Sequence, residues 1–139
     1  MTRYLLDTGI ASDYVNRRHG LPDRVRMAVA QGSRVGVCTP VIGELFSGIE
    51  LSSTRTRNLS RLIHALDSLV SWPFDRSAAE EFGRVFAVLR RIGRPMQQID
   101  IQIAAVAMTL GDCTVVTKDS DFAAIPGLNV ENWSLPDSR

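Results

Sequence analysis

Asp7 directly follows the apolar run Tyr4-Leu5-Leu6 and precedes Thr8-Gly9. Glu44 interrupts the apolar stretch around Ile42, Leu45 and Phe46, and Asp100 lies inside Ile99-Asp100-Ile101-Gln102-Ile103. Asp119 stands two residues past the apolar segment Cys113–Thr117. A carboxylate buried among apolar neighbours needs a partner, and crowded like charges raise one another's pKa values unless a cation neutralises them. Oxygen donors with neither His nor Cys among them suit Mg²⁺ or Mn²⁺. Each acid also has an ordinary reading. Asp7 can cap a helix, Glu44 can sit on a solvated helix face, Asp100 can favour a helix N-terminus through the dipole, and Asp119 can initiate a turn. Only a fold that brings the four acids together decides between these readings.

The elements that would have to do so alternate along the chain. Tyr4–Leu6, Val35–Cys38, Leu69–Phe74, Cys113–Thr117 and Leu128–Val130 read as strands. Between them, Ile10–Asn16 and Pro22–Ala30 read as helices, the second with Pro22 in its first turn and Gly32 just past its end. Thr39-Pro40 has the form of an N-cap followed by a first-turn proline, opening the helical stretch Val41–Leu51 that carries Glu44. Ser52–Asn58 is polar and expected to be the most mobile stretch, after which Leu59, Leu62, Ile63, Leu66 and Leu69 recur at helical spacing. Trp72 is expected in the core. Ser77 with Glu80 three residues on resembles a capping box, and Phe82, Val85, Phe86 and Leu89 form one stripe behind it. Gly93-Arg94-Pro95 breaks the chain before a helix over Gln98–Leu110, closed by Gly111. Strands alternating with helices predict an α/β fold, a parallel sheet covered on both faces, in one domain over 1–139. In such sheets ligands bind outside the carboxyl ends of the strands, which is where Asp7, Glu44 and Asp119 fall. Asp100 reaches the same edge if its helix passes there.

Composition excludes several classes. No run approaches the roughly 18 apolar residues of a membrane span, and no charged segment leads into an apolar signal region, so a cytoplasmic protein is expected. Cys38 and Cys113 lie inside apolar runs and read as buried free thiols. His19 and His64 lack zinc-ligand spacing and read as surface or helix-face residues. Net charge is +1, so overall electrostatics do not announce nucleic acid, although every basic residue except Lys118 is Arg.

Leu5-Leu6-Asp7-Thr8-Gly9-Ile10-Ala11-Ser12, the segment around Glu44, Gln98–Ala107 and the closing stretch Thr114–Trp133 together resemble PIN-domain ribonucleases, with the nearest likeness to VapC-type toxins. The likeness runs from Tyr4 to Trp133, and the combination is specific although no single piece is. It implies a parallel-sheet PIN-like domain in which Asp7, Glu44, Asp100 and Asp119 hold Mg²⁺ or Mn²⁺ and hydrolyse RNA. It further implies a homodimer and a small VapB-type antitoxin as partner. Thr8 and Thr117 then become candidates to hydrogen-bond the carboxylates, and Arg94 and Lys118 to contact phosphates, with Arg55, Arg57 and Arg61 facing RNA, a partner or solvent. The family commonly has Asn where this chain has Gly9, and a different loop where it has Met96-Gln97-Gln98. Asp119 is preferred over Asp121 as fourth ligand because it lies nearer the strand end, while Asp121 is placed to N-cap the short turn that follows. DNA-directed PIN nucleases remain an alternative. Two other readings compete: Asp7-Thr8-Gly9 as an aspartic protease turn, which needs a β-rich fold, and Asp75 as the phosphoacceptor of a receiver-like signalling domain.

Overall fold

In the computed structural model, which describes residues 1–136, five strands form one sheet in the order β3-β2-β1-β4-β5, every neighbouring pair parallel. The strands are β1 (Arg3–Leu6), β2 (Arg34–Cys38), β3 (Val70–Trp72), β4 (Cys113–Val116) and β5 (Asn129–Glu131). Between them run α1 (Thr8–Val15), α2 (Leu21–Ala30), α3 (Thr39–Glu50), α4 (Arg55–Asp67), α5 (Arg76–Arg91) and α6 (Gln98–Leu110). The last three residues of the expected domain lie outside the described ones.

The central strands carry near-continuous apolar sequence because helices cover the sheet on both faces. Leu5, Leu6, Val37, Val115 and Val116 have no accessible surface, and Ile103, Ala104 and Ala105 of α6 have none either. Trp72 is buried at the edge strand as expected, and its ring closes over Gly36. A Cβ at Gly36 would run into the Val70 carbonyl oxygen, so glycine is what lets β2 and β3 approach here. Gly111 ends α6 at φ +69°, a backbone state that glycine adopts at no steric cost. Both cysteines are buried free thiols, and burial pushes Cys38 up to about 11 and Cys113 up to about 12. No described helix is long and apolar enough to cross a membrane.

The capping residues of two helices differ from the sequence expectations. Cys38, not Thr39, is the N-cap residue of α3, and the Thr39 hydroxyl instead accepts the Phe74 amide at 3.1 Å. Asp75, not Ser77, caps α5, its Oδ1 accepting from the Ala78 amide at 3.0 Å. A carboxylate outcompetes the hydroxyl because its charge also favours the positive end of the helix dipole. This use of Asp75 as a helix cap, in the loop after the edge strand β3, removes the receiver-like reading. The all-parallel sheet removes the protease reading. Ser52–Asn58, expected as the most mobile stretch, instead enters α4 from Arg55, and Asn58 ties the preceding turn to the helix, its Nδ2 donating to Ser52 Oγ at 2.7 Å and Thr54 Oγ1 at 2.9 Å.

The strand order places the site. From β1 the chain builds outward through β2 to β3, then crosses to the other side of β1 for β4 and β5. The reversal between β1 and β4 leaves a crevice at their carboxyl ends, the topological switch point of an open α/β sheet.

Candidate active site

Asp7 leaves β1 into this crevice and is only 8% exposed. Its two oxygens have separate jobs. Oδ1 accepts from the Ile10 amide at 2.9 Å and so caps α1, and Oδ2 accepts from the Thr117 hydroxyl at 2.5 Å. The ordinary reading of Asp7 as a cap is therefore correct without exhausting the residue, because a carboxylate has about four lone-pair sites. Thr117 is the hinge of the cluster. Placed just past β4, it donates to Asp7 and accepts the Asp119 amide at 2.9 Å. The hydroxyl thus links two acids that are remote in sequence.

Asp119 in turn accepts the Asp121 amide on Oδ1 at 2.9 Å, capping a 3-10 turn over Ser120–Ala124. The expectation that Asp121 caps this turn is overturned. Asp119 is two residues closer to the strand end, where an extended backbone lets its side chain reach forward to the amide two residues on. Asp121 instead lies 3.7 Å from Arg94, so this arginine is held by an acid at the rim of the crevice.

Asp100, in the first turn of α6, is half-buried and within electrostatic reach of the acids at this edge. Its carboxyl is raised from 3.8 to about 6, first by burial, then by the charges of Asp7, Asp119 and Asp121. Asp7 is raised too, chiefly by burial and further by Asp119, against the lowering effect of Thr117, the Ile10 amide and Lys118. Asp7, Asp100, Asp119 and Asp121 therefore form one mutually repelling group.

Glu44 is placed differently. It is exposed on α3, not buried as its apolar neighbours suggested, because the buried contact of that helix is made at Val41. It lines a cleft of about 350 Å³ together with Thr8, Ser12, Asn16, Asn58 and Arg61. Thr8 follows Asp7 directly in the chain, but none of Asp7, Asp100, Asp119 and Asp121 lines this cleft. The Thr8 hydroxyl is buried without a hydrogen-bond partner among the described residues, and the expectation that it bonds a carboxylate is not met. Among the described residues no three carboxylates stand close enough to grip one ion between them as placed.

The arginines and the lysine near the site are engaged. Arg55 forms a two-point pair with Glu50 at 2.8 and 2.9 Å, and Arg61 donates to Asn16 at 3.2 Å. Lys118 donates to Asp13 at 3.1 Å, and His19 lies 3.0 Å from the same oxygen. Sequence reasoning missed Asp13. The signal was available: a charge at helical spacing from Ile10 in a segment whose apolar residues are buried.

Thr117→Val tests the hinge. Valine keeps the shape but leaves Asp7 Oδ2 and the Asp119 amide unpaired, and an orphaned buried group costs roughly 1–3 kcal/mol. We expect a lower thermal midpoint and about a 10–100-fold loss of any activity the acids support, with Thr117→Ser close to wild type. Equal activity of Thr117→Val and wild type would remove the hinge from the site.

Comparison with known proteins agrees with this architecture. Residues 4–128 match the family model described as "PIN domain". The chain is 31% identical over 133 residues to "Ribonuclease VapC2" of Haemophilus influenzae, covering 96% of this chain and 99% of the relative. It is 29% identical over 134 residues to "tRNA(fMet)-specific endonuclease VapC" of Shigella flexneri, covering 96% and 100%. A chain of the VapBC2 crystal structure from Rickettsia felis, bound to a promoter DNA fragment, superposes with a TM-score of 0.89 at 25% identity, covering 96% and 100%. With a family model spanning nearly the whole chain and a near-full-length relative above 30% identity, the chain belongs to the PIN-domain family, among its VapC members.

Proposed function

We propose that this protein is a metal-dependent endoribonuclease, the toxin of a type II toxin–antitoxin pair, working at the acid group on the β1/β4 edge. The single observation that carries the reading is the convergence of Asp7, Asp100 and Asp119 at the switch point, with the Asp100 carboxyl pushed up to about 6. The names of the relatives support RNA as substrate, since they include ribonucleases and a tRNA-specific endonuclease. Neighbouring solved structures named VapBC, one from a toxin–antitoxin system of Mycobacterium tuberculosis, support a VapB-type antitoxin as partner.

The residues fit a divalent ion by donor chemistry. The donors are all oxygens, their mutual repulsion is the kind a hard cation relieves, and the residue after Asp7 carries a buried hydroxyl, Thr8, with no hydrogen-bond partner among the described residues. Asp7, Asp100, Asp119 and Glu44 are the residues that would hold Mg²⁺ or Mn²⁺. Bound there, the ion supplies an acidified water nucleophile at neutral pH and positive charge opposite the leaving oxygen. The chain's own residues set the geometry. Thr117, with the Ile10 amide, fixes how the Asp7 carboxylate is oriented, Asp119 is directed by its backbone bond to Thr117, and Asp100 adds its charge to the group from α6.

Purified protein incubated with RNA should cleave it with Mg²⁺ or Mn²⁺ and stop with EDTA. Cleavage that survives complete chelation would sink the metal reading. Equal cleavage of single-stranded DNA would favour the DNA-directed alternative. Within the same assay, Asp119→Asn should lower the rate more than Asp121→Asn. Asn still caps the 3-10 turn, so loss at Asp119 reports the missing charge, whereas Asp121 is partly committed to Arg94. The reverse order would make Asp121 the fourth ligand.

We also infer a homodimer. Phe86 and Ile92, at the C-terminal end of α5, are 43% and 52% exposed, with Phe82 stacked beside Phe86. Exposed apolar groups of this size gain by covering one another. Light scattering at micromolar concentration should give twice the mass of one chain, and a monomer mass would overturn the inference.

A further inference from the structure

Asp13 is a nearly buried carboxylate, 8% exposed, that the proposed chemistry leaves out. It sits on α1 among the buried residues Ile10, Ala11 and Val15. A charge in such a place costs several kcal/mol unless paired, so its partners reveal its use. Its Oδ2 lies 3.1 Å from Lys118 Nζ and 3.0 Å from His19 Nδ1. Lys118 is the sole lysine of the chain and stands between Thr117, which holds Asp7, and Asp119. His19 is in the left-handed backbone region at φ +57°, a conformation unfavourable for a residue with a Cβ, and its carbonyl accepts the Leu135 amide at 2.9 Å. Strain of this kind persists only where surrounding contacts enforce it. Here it accompanies a ring brought up to the Asp13 carboxylate.

We propose that Asp13 is a positioning residue for the metal centre: through Lys118 it clamps the segment after β4 onto α1 and so fixes how Asp119 presents its carboxylate beside Asp7. The inference rests on the reading above that these acids hold a divalent ion. Two ties then join the start of the chain to this segment, Asp7 with Thr117 and Asp13 with Lys118. Only together do they set both the position and the direction of the peptide between them. Lys118 is on this account a strut, not a phosphate contact.

Mn²⁺ titration by calorimetry, on wild type, Asp13→Asn, Lys118→Met and the double variant, tests the clamp without any cleavage assay. Each single variant should weaken Mn²⁺ binding by about tenfold, the lower end of the 10–100-fold cost of losing a supporting partner. The double variant should be no worse than either single one, since both cut one tie. Lys118→Arg, which keeps a cation within reach of Asp13, should recover most of the affinity. Unchanged Mn²⁺ affinity with only a lower melting temperature would make the pair structural and overturn the proposal. Tighter binding by Lys118→Met would also overturn it, because that is the sign expected if the ammonium merely repels the ion. Should Asp13→Asn fail to fold, Lys118→Met carries the test, its side chain being half-exposed. No Mn²⁺ binding by folded wild type would instead sink the metal reading itself, and this inference with it.

Discussion

Replacing Asp7 or Asp100 with Asn is expected to reduce RNA cleavage by about 100-fold or more, beyond the 10–100-fold that follows loss of a merely supporting partner. The fold should survive both changes. At position 7 an Asn carbonyl still accepts the Ile10 amide and caps α1, while its amide can donate to the Thr117 hydroxyl. At position 100 the change removes a charge that the metal-free protein carries at a cost. The Asp100 carboxyl is raised from 3.8 to about 6 by burial and by Asp7, Asp119 and Asp121. The folded state therefore holds this proton more tightly than the unfolded chain does. The resulting stabilisation is complete below about 4 and is lost as pH rises through about 6. Asn cannot ionise, so metal-free Asp100→Asn should melt higher than wild type near neutral pH and lose that advantage in acid. Loss of cleavage together with gain of stability is the signature of a functional charge held against repulsion. Wild-type cleavage by either variant in defined Mg²⁺ would refute the nuclease mechanism, and a lower neutral-pH melting point for Asp100→Asn would refute the repulsion.

Mg²⁺ should raise the melting temperature of the wild-type protein, because the ion binds the assembled acids and not the unfolded chain. At 100 times the dissociation constant the gain is roughly 2.7 kcal/mol. For a chain of this size that corresponds to a shift on the order of 10 °C. The shift should contract in Asp100→Asn, which lacks one donor. It should also contract as pH falls through about 6, where protons compete with the ion for Asp100. The Asp7 carboxyl is raised as well and contributes in the same direction. Melts with and without Mg²⁺, on both sides of that pH, provide the check. A shift of equal size in the two proteins at every pH would take Asp100 out of the site.

Much of this protein was legible without coordinates. The helix over Gln98–Leu110, its Gly111 terminator and the five strands follow from apolar periodicity and backbone chemistry that act over a few residues. The alternation of strand and helix was enough for a parallel sheet, and the segments around Asp7, Glu44, Asp100 and Asp119 together were enough for the family resemblance. The errors were also local. Thr39, Ser77 and Asp121 have cap chemistry, yet each lost the cap to a residue just upstream, because the backbone's exact entry into the helix selects among neighbours that chemistry alone leaves equivalent.

What the sequence by itself determined was which residue types stand next to which apolar runs, and hence the elements and the oxygen-donor character of the site. Tertiary structure alone decided which donors meet. The crossing of the chain from β3 to β4 puts Thr117 against Asp7 over 110 positions and Lys118 against Asp13 over 105. It also leaves Glu44 exposed, lining a cleft with Thr8, against the apolar look of its neighbours. The physical reason is range. Propensity and capping are set by nearby atoms, whereas a carboxylate's burial, its hydrogen-bond donors and the charges that raise its pKa come from strands brought together only by packing.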